Sequence, residues 1–190
     1  FALARYNTNG TLDAGFDTDG RVTTDFGGGS SSYSDARDVL IQSDGKLVAV
    51  GSTRSSFYGP DDFALVRYNS NGTLDNSFGS KGKVTTNFSG NSDDGAGGAA
   101  IQPDGKIVVA GITWNDSGPS LAVARYNLNG SLDTTFDGDG KLTTSLIGGA
   151  PEVALQADGK IVLVSAGFEL LRLNATGSVD TSFGVGGVVT

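Results

Sequence analysis

The sequence predicts an all-β fold in which four-stranded antiparallel sheets repeat along the chain as the blades of a β-propeller. Three observations support this prediction. One segment recurs four times, Asp-Gly pairs separate runs of β-branched residues, and 30 of the 190 residues are glycine. Gly, Asn, Asp and Ser supply the turns that join short strands. Short strands at regular spacing, separated by such turns, are typical of propellers and related all-β folds.

Each copy of the repeat opens with a seven-residue segment that ends in Asn or its equivalent. In the first copy this segment is Phe1–Asn7, followed by Asn9-Gly10, Leu12-Asp13 and Phe16. The later copies begin at Phe63, Leu121 and Phe168. Self-similarity at a fixed period indicates a repeat architecture. We therefore predict a single repeat domain over residues 1–190, with repeats at about 1–62, 63–120 and 121–167 and a partial copy at 168–190.

Four strands, named A to D, account for each full repeat. Examples are A at Val22–Phe26, B at Val39–Gln42, C at Leu47–Gly51 and D at Phe1–Asn7. The Asp-Gly between B and C predicts a hairpin with a type I′ turn, whose two central residues both have positive φ. Strand C is apolar at consecutive positions, so both of its faces should be covered. Strands A and D are more polar and are expected at the edges of each blade. The expected core comprises Leu47, Val48, Val50, Ile107, Val109, Ile161 and Leu163.

The order of strands along the chain is D, then A-B-C-D three times, then A. Grouping A to D into one blade leaves an unpaired D strand at Phe1–Asn7 and an unpaired A strand at Val188–Thr190. Phe1 and Leu3 would then lack apolar cover. Because the chain opens inside a strand without an initiator Met, we expect a processed product or a fragment. We also expect further repeats or self-association to cover its ends.

The motif R-Y-N-x-N-G-[TS]-L-D-x-x-F, followed by Q-x-D-G-K-[IL]-V, resembles the delta-sixty repeat of large secreted bacterial proteins. The resemblance covers essentially the whole chain. The last copy departs most, with Leu173 in place of Tyr and Thr176-Gly177 in place of Asn-Gly. The resemblance implies a β-propeller fold and an extracellular or cell-surface location. It supplies no catalytic residues.

Composition excludes several kinds of site. The chain has no Cys, His or Met, so zinc, haem and iron–sulfur sites lack their ordinary ligands, and Ser-His-Asp or Cys-His catalysis is impossible. With 13 basic and 21 acidic residues the net charge is −8, which does not favour nucleic acid as a partner. No apolar run is long enough to insert into a membrane.

Two series of residues recur in every copy, and we interpret both as structural. Arg5, Arg67, Arg125 and Arg172 recur with Asp13, Asp75, Asp133 and Asp180. A residue needed once per blade usually builds the blade, so these pairs are predicted to form ion pairs or turn hydrogen bonds within it. The series beginning with Phe16 is predicted to fill the space between adjacent blades.

A calcium site is an alternative interpretation of two Asp-rich turns. Asp17, Asp19, Asp137 and Asp139 have the D-x-D-G spacing that begins many calcium loops. The equivalent stretch in the second copy is Gly79-Ser-Lys-Gly82, and no Glu follows at the twelfth position. We therefore expect ordinary turns and no cofactor, with calcium left open.

Two loops of variable length carry the candidate binding residues. These are the A–B loops (27–35, 89–95 and 147–149) and the C–D loops (52–62, 112–120 and 165–167), which an up-and-down sheet places on one face. Variable loops on a rigid scaffold are common binding sites. The candidate residues are Tyr33, Phe57, Tyr58, Trp114, Asp61, Asp62 and Asp116.

The sequence therefore predicts a non-enzymatic module that binds protein or glycan through these loops. A self-assembling structural array, either a filament or a surface layer, is the alternative. Adjacent carboxylates such as Asp61-Asp62 and Asp93-Asp94 could suggest a glycosidase. We disfavour an enzyme because that chemistry needs two carboxylates aimed at one bond from separate elements.

Overall fold

The computed structural model describes residues 1–27, 32–116, 118–145, 149, 151–165, 167 and 169–190. Phe168 lies outside this part of the chain, as do portions of the predicted A–B and C–D loops. The described residues form fourteen strands and no helix. The strands are β1 (Ala2–Ala4), β2 (Arg21–Thr23), β3 (Tyr33–Ile41), β4 (Leu47–Arg54), β5 (Asp62–Tyr68), β6 (Lys83–Thr86), β7 (Asp93–Ile101), β8 (Ile107–Asn115), β9 (Gly118–Tyr126), β10 (Lys141–Thr144), β11 (Glu152–Leu155), β12 (Ile161–Val164), β13 (Leu170–Leu173) and β14 (Val188–Val189).

The strands form three four-stranded sheets and one two-stranded sheet, all antiparallel. We call β3–β6 blade 1, β7–β10 blade 2, β11–β14 blade 3 and β1–β2 the half-blade. Within each blade the spatial order follows the chain order. The predicted all-β fold of four-stranded antiparallel blades is confirmed. The blades do not close into a ring within the described residues.

The predicted grouping of strands into blades is wrong. Each A strand pairs with the D strand that precedes it, as in Leu65 opposite Val84, so a blade runs B-C-D-A. The first D strand therefore pairs with the first A strand, and the last A strand pairs with β13. Backbone hydrogen bonds hold this pairing, because Arg67 N–H donates to Gly82 O and Asp75 N–H donates to Arg67 O, each at 2.9 Å.

Strand D lies inside the blade and not at its edge. β5 is bonded to β4 on one side and β6 on the other, and residues 63–68 are all buried. Strand B is the inner edge, where β3, β7 and β11 of successive blades contact one another, and strand A is the opposite edge. The polar residues of strand D do not indicate an edge position, because Arg67 is buried in an ion pair with Asp75.

The hydrophobic core lies between blades. Buried residues of blade 1, including Val48 and Leu65, form one cluster with Ile107 and Tyr126 of blade 2. Six of the seven predicted core residues are fully buried, but Leu47 is only half-buried. Leu47 packs towards the half-blade, where the described residues include no B or C strand to cover it.

Phe1 is buried, contrary to the expectation that it lacks apolar cover. Only 7% of it is exposed, and its ring centroid lies 5.1 Å from that of Phe26. Blade 1 covers the half-blade on one side, so Phe1 and Leu3 pack with Ala64 and Val66.

The B–C connections are tight hairpins of a kind different from the predicted type I′ turn. Gly45 N–H donates to Gln42 O at 2.9 Å, and Gln42 N–H donates to Lys46 O at 2.8 Å. Only Gly45 has positive φ, at 82°. Three residues therefore connect the strands, and only the glycine needs the left-handed conformation.

No helix among the described residues is long and apolar enough to cross a membrane.

Candidate functional site

The D–A and B–C turns lie at one end of the blades, which we call the latch face. Here Asp75 Oδ2 accepts from Arg67 Nε at 2.9 Å and lies 3.1 Å from Lys46 Nζ. In blade 2, Asp133 Oδ2 lies 2.7 Å from Arg125 Nε and 2.9 Å from Lys106 Nζ. The predicted Arg–Asp ion pairs are therefore confirmed. Each complete blade adds a Lys from the B–C turn, which the sequence interpretation did not include.

The same arginines connect neighbouring blades. The Arg67 guanidinium stacks over the Phe78 ring at 4.5 Å and donates to Leu128 O of blade 2. Gly79 N–H donates to Asn129 O at 2.7 Å. A Cβ at Gly130, whose φ is +86°, would lie 3.1 Å from Phe78 Cδ2 and 3.0 Å from Gly79 N. Glycine there lets the Phe pack directly on the next blade, and the predicted filling role of this series is confirmed for Phe16, Phe78 and Phe136.

The carboxylates of Asp75 and Asp133 at the latch face are held ionised. Burial by itself raises the pKa of Asp75, but hydrogen bonds from Ser77 and Lys46 and the charge of Arg67 outweigh it, so the pKa lies well below its usual range. The pKa of Asp133 is lowered in the same way by Lys106, Thr135 and Arg125 against the effect of burial. Groups that stay ionised at physiological pH and are used in ion pairs serve as structural anions and not as proton donors.

The two Asp-rich turns, at 17–20 and 137–140, occupy the same position in the repeat as residues 79–82 of the second copy. Asp19 Oδ1 accepts from Arg21 N–H at 2.9 Å, and Asp139 Oδ1 accepts from Lys141 N–H at 2.8 Å. In the second copy a backbone carbonyl takes this part, with Lys83 N–H donating to Ser80 O. Asp17 and Asp137 have φ of 43° and 48°, a left-handed conformation that Asp tolerates. The described residues contain no group of three or more acidic side chains placed to hold a metal ion.

At the opposite end of the blades lies the variable face, formed by the C–D and A–B connections. In the described part of the chain it carries four exposed aromatic residues. Phe57 and Tyr58 belong to the loop between β4 and β5, and their rings meet edge to face at 5.0 Å. Their exposed fractions are 68% and 95%. Tyr33 and Trp114, exposed by 55% and 59%, lie within strands β3 and β8.

The strands of blades 1 and 2 extend further than the sequence pattern predicts. Tyr33, Asp62 and Trp114 were expected in loops but are strand residues. The regular ladder continues because backbone pairing extends to Tyr33 opposite Arg54 and Asp93 opposite Trp114. Polar residues at strand ends on a solvated face do not interrupt a ladder whose bonds are made by the backbone.

Two of the candidate carboxylates have internal partners. Asp61 accepts two hydrogen bonds from the Arg54 guanidinium, at 2.8 and 3.0 Å. Asp62 Oδ1 accepts from the Asn87 amide at 2.9 Å. These contacts order the loop, whereas Asp116 is exposed. Asp116 is therefore the candidate carboxylate free to face solvent.

Trp114 forms one wall of an open cleft on blade 2. The A–B connection at 89–92 lines the cleft as well, together with Asp93, Asn115 and Asp116. Polar groups thus surround one exposed aromatic ring, an arrangement suited to a ligand with both hydroxyl groups and an apolar face. Tyr33, Phe57 and Tyr58 do not line this cleft.

Asp94 is a notable residue that the candidate set missed. It is fully buried, and its Oδ2 accepts from Phe88 N–H at 2.7 Å. Burial raises the pKa of this carboxyl. The equivalent residue in blade 1 is Ser34, which pairs with Thr53 at 2.8 Å. The sequence signal that could have identified Asp94 is a charged residue at a position where another copy has Ser.

A fold of four-stranded blades, joined in series by the Arg and Phe contacts of the latch face, defines a β-propeller repeat protein. A family model described as a domain of unknown function (DUF5122) beta-propeller matches residues 1–16, 42–78, 102–136 and 156–183. The chain belongs to this family. The matched segments contain the C and D strands and most of each D–A turn. They include the cleft residues Trp114 and Asp116, whereas the cleft residues at 89–93 lie outside them. No curated protein matches the chain.

Proposed function

We propose that this chain is a non-enzymatic β-propeller module of the delta-sixty type that binds a glycan or protein through its variable face. The observation that carries the proposal is the Trp114 cleft, which favours a glycan. The tryptophan ring is 59% exposed although the residue lies in an ordered strand. Because tryptophan is costly to leave in water, such a ring beside polar groups is suited to stacking on a ligand.

The polar groups around the ring match the hydroxyls of a sugar. The carboxylates of Asp93 and Asp116 accept hydrogen bonds, and the amide of Asn91 can both donate and accept. A saccharide that stacks on Trp114 would present its ring hydroxyls to these groups. Phe57 and Tyr58 on blade 1 offer a more apolar surface, which would suit a protein partner.

Binding fits this site better than hydrolysis. Asp93 and Asp94 are consecutive residues of β7, so their side chains lie on opposite faces of the sheet. Asp93 is exposed and Asp94 is buried. Cleavage of a glycosidic bond generally needs two carboxylates flanking it, and this pair cannot meet that requirement together.

The location and partners form part of the same proposal. The delta-sixty resemblance supports a bacterial extracellular or cell-surface setting, where glycans and surface proteins are abundant. The net charge of −8 disfavours a nucleic-acid partner. No cofactor is required for binding of this kind.

The chain's single tryptophan provides a direct test. Titrating a panel of oligosaccharides should change the Trp114 emission for at least one of them. By calorimetry, Trp114→Ala should weaken binding of that oligosaccharide at least tenfold. Leu128→Ala is the matched control, because Leu128 is similarly exposed at 57% but follows the D strand at the latch face. Binding that Trp114→Ala leaves unchanged, or the absence of any bound oligosaccharide, would contradict the proposed cleft.

A structural array is a second candidate, favoured by the surfaces of the terminal sheets. Phe183 is only half-buried and Val185 is 89% exposed, whereas Phe136 is covered by blade 3. A further unit packed on blade 3 would cover these residues. Sedimentation velocity at micromolar concentration distinguishes polymers from a 19 kDa monomer, and a monomer would reject the array.

A further inference from the structure

Asp94 is a buried carboxylate at the junction of blades 1 and 2. Its side chain is completely buried, and its backbone N–H donates to Asp61 O of blade 1 at 2.7 Å. Its Oδ2 accepts from Phe88 N–H at 2.7 Å. Phe88 lies between β6 and β7, directly before residues 89–92, which line the Trp114 cleft. One carboxyl group therefore joins the blade junction to the connection that shapes the cleft.

The other oxygen of this carboxyl has no hydrogen-bond partner. Thr113 lies opposite Asp94 in the β7–β8 ladder, but neither Asp94 Oδ1 nor the Thr113 hydroxyl makes a hydrogen bond. At the equivalent position of blade 1, the hydroxyls of Ser34 and Thr53 bond to each other at 2.8 Å. A buried polar atom without a partner costs stability. A proton on Asp94 Oδ1 could be donated to the Thr113 hydroxyl and would supply the bond that blade 1 already has.

The titratable groups that face Asp94 favour its neutral form. Burial raises the pKa of the Asp94 carboxyl, and the charge of Asp62 on β5 raises it further, against the lowering effect of nearby hydroxyl and N–H groups. Tyr126 of β9 also faces Asp94. Burial raises the pKa of the Tyr126 hydroxyl, and the charge of Asp94 adds to that effect, so Tyr126 stays neutral.

Two cations near this junction already have other partners. Arg54 is paired with Asp61 at 2.8 Å, and Lys141 Nζ donates to Asn87 O at 3.2 Å. Among the described residues, none pairs a positive charge with Asp94. Ionised Asp94 is therefore a buried charge without a counter-ion, which is unfavourable in a protein interior.

We propose that the Trp114 cleft is coupled to a proton on Asp94, which acts as a positioning residue for the ligand site. When Asp94 is protonated, Oδ1 donates to the Thr113 hydroxyl and Oδ2 still accepts from Phe88 N–H. Residues 89–92 are then held in the position that forms the cleft. When Asp94 ionises, these residues loosen and the cleft binds its ligand more weakly.

The A–B connection is the part of the surroundings that can yield to the charge. Residues 89–91 are exposed, whereas Thr113 is fixed in the β7–β8 ladder. Because binding and protonation favour the same state, a bound ligand should in turn raise the pKa of Asp94. The effect on ligand affinity rests on the binding function proposed for the cleft, but the response of the free chain to pH does not.

The first measurement therefore uses the free chain. Two-dimensional ¹H–¹⁵N NMR between about pH 3 and 8 should show one shared titration of the Phe88 amide, the amides of 89–92 and the Trp114 indole N–H. Its midpoint should lie above the usual Asp pKa of about 4. Asp94→Asn is neutral and of the same shape, so it should abolish the shared titration. A titration confined to the Phe88 amide, or one that persists in Asp94→Asn, would overturn the proposal.

Two further variants test where the titration originates. Asp62→Asn removes the facing anion and should lower the midpoint without abolishing the transition. Asp104→Asn is the matched control, because it removes a carboxylate at an exposed turn of blade 2 on the latch face and should leave the midpoint unchanged. Equal midpoints in the parent and Asp62→Asn would argue against Asp94 as the origin. Circular dichroism identifies any variant that fails to fold, and should Asp94→Asn be one, Asp62→Asn decides alone.

The second measurement uses the oligosaccharide that the Trp114 titration identifies. By calorimetry, its affinity for the parent chain should fall at least fivefold as the pH is raised through the NMR midpoint, and its affinity for Asp94→Asn should stay constant. An affinity for the parent that does not change would overturn the coupling and leave the cleft as a binding site. If no oligosaccharide binds, the binding function is refuted, and the shared NMR titration still decides whether Asp94 controls the shape of the cleft.

Discussion

The latch face and the variable face are the two ends of the same strands, but they differ in how their charged and aromatic residues are used. At the latch face, Arg125 and Asp133 are buried and paired, and Phe136 fills the space before the next blade. At the variable face, Trp114 and Tyr58 are exposed. The family model matches most of each D–A turn, and at the variable face it includes Tyr58 and Trp114 but leaves out residues 89–93.

This difference separates residues that build the repeat from residues that can differ between copies without damaging it. A latch residue contacts its own blade and the next one, so its loss affects two blades. At the variable face, Phe57 and Tyr58 contact each other within one loop, although the Asp61 backbone also bonds to Asp93 and Asp94 of blade 2. The copies within the chain also provide controls, because the same motif occurs with and without a following blade among the described residues.

The largest effect is expected from truncating an interblade Phe. Phe136→Ala should lower the free energy of unfolding by about 3–5 kcal/mol, since the residue is fully buried between blades 2 and 3 and leaves a cavity. Phe183→Ala removes the same side chain where no described blade follows, and it should cost less than half as much. Urea denaturation of both variants measures the difference. Equal losses would mean that the interblade position is not what matters.

A somewhat smaller effect is expected at the latch ion pairs. Asp133→Asn should destabilise the chain by about 3 kcal/mol, because it leaves Arg125 and Lys106 without their buried anion. Asp13→Asn should cost much less, since Asp13 is more exposed and has only Arg5 as a partner. Similar losses of unfolding free energy for the two variants, measured by thermal or urea denaturation, would mean that the contacts of Asp133 with Lys106 and Arg125 do not stabilise the chain.

The two faces should also depend on pH with opposite sign. The pKa values of Asp75 and Asp133 are lowered, so their stabilisation is present above the usual Asp pKa of about 4 and is lost as the pH falls below it. The pKa of Asp94 is raised by burial, so its contribution is favourable at low pH and is lost as the pH rises above about 4.

Asp94→Asn provides the measurement for the variable face. Relative to the parent chain, this variant should become progressively more stable as the pH is raised from 4 to 7, because it carries no charge to bury. Unfolding free energies measured across that range check the trend. A constant difference between variant and parent would show that Asp94 does not titrate abnormally.

The smallest effect is expected from removing calcium. A chelator should leave the melting temperature unchanged, because Asp19 and Asp139 already accept turn hydrogen bonds and Asp17 and Asp137 occupy left-handed turn positions. Differential scanning calorimetry with and without calcium checks this. A rise in melting temperature on adding calcium, abolished by Asp139→Ala, would establish the calcium site instead.

Local pattern was enough to predict the repeat, the strands and most of the core. Consecutive apolar residues at Val48–Val50 require cover on both faces of a sheet, and these residues are completely buried. The Arg–Asp pairs could also be predicted, because a charged pair that recurs once per repeat indicates a part of the blade. The Trp114 cleft could be predicted only in part, since its residues come from two connections and their meeting depends on strand length.

The sequence by itself determined which segments become strands, because side-chain periodicity and turn residues act over a few neighbouring positions. Only the tertiary structure decided that strand A pairs with the preceding D strand, because periodicity marks a strand without specifying its partner. The tertiary structure also decided how equivalent residues differ. Phe136 is buried and Phe183 is not, and Asp133 has two cations where Asp13 has one. Their motifs are the same, but burial and pairing depend on the adjacent strands and blades.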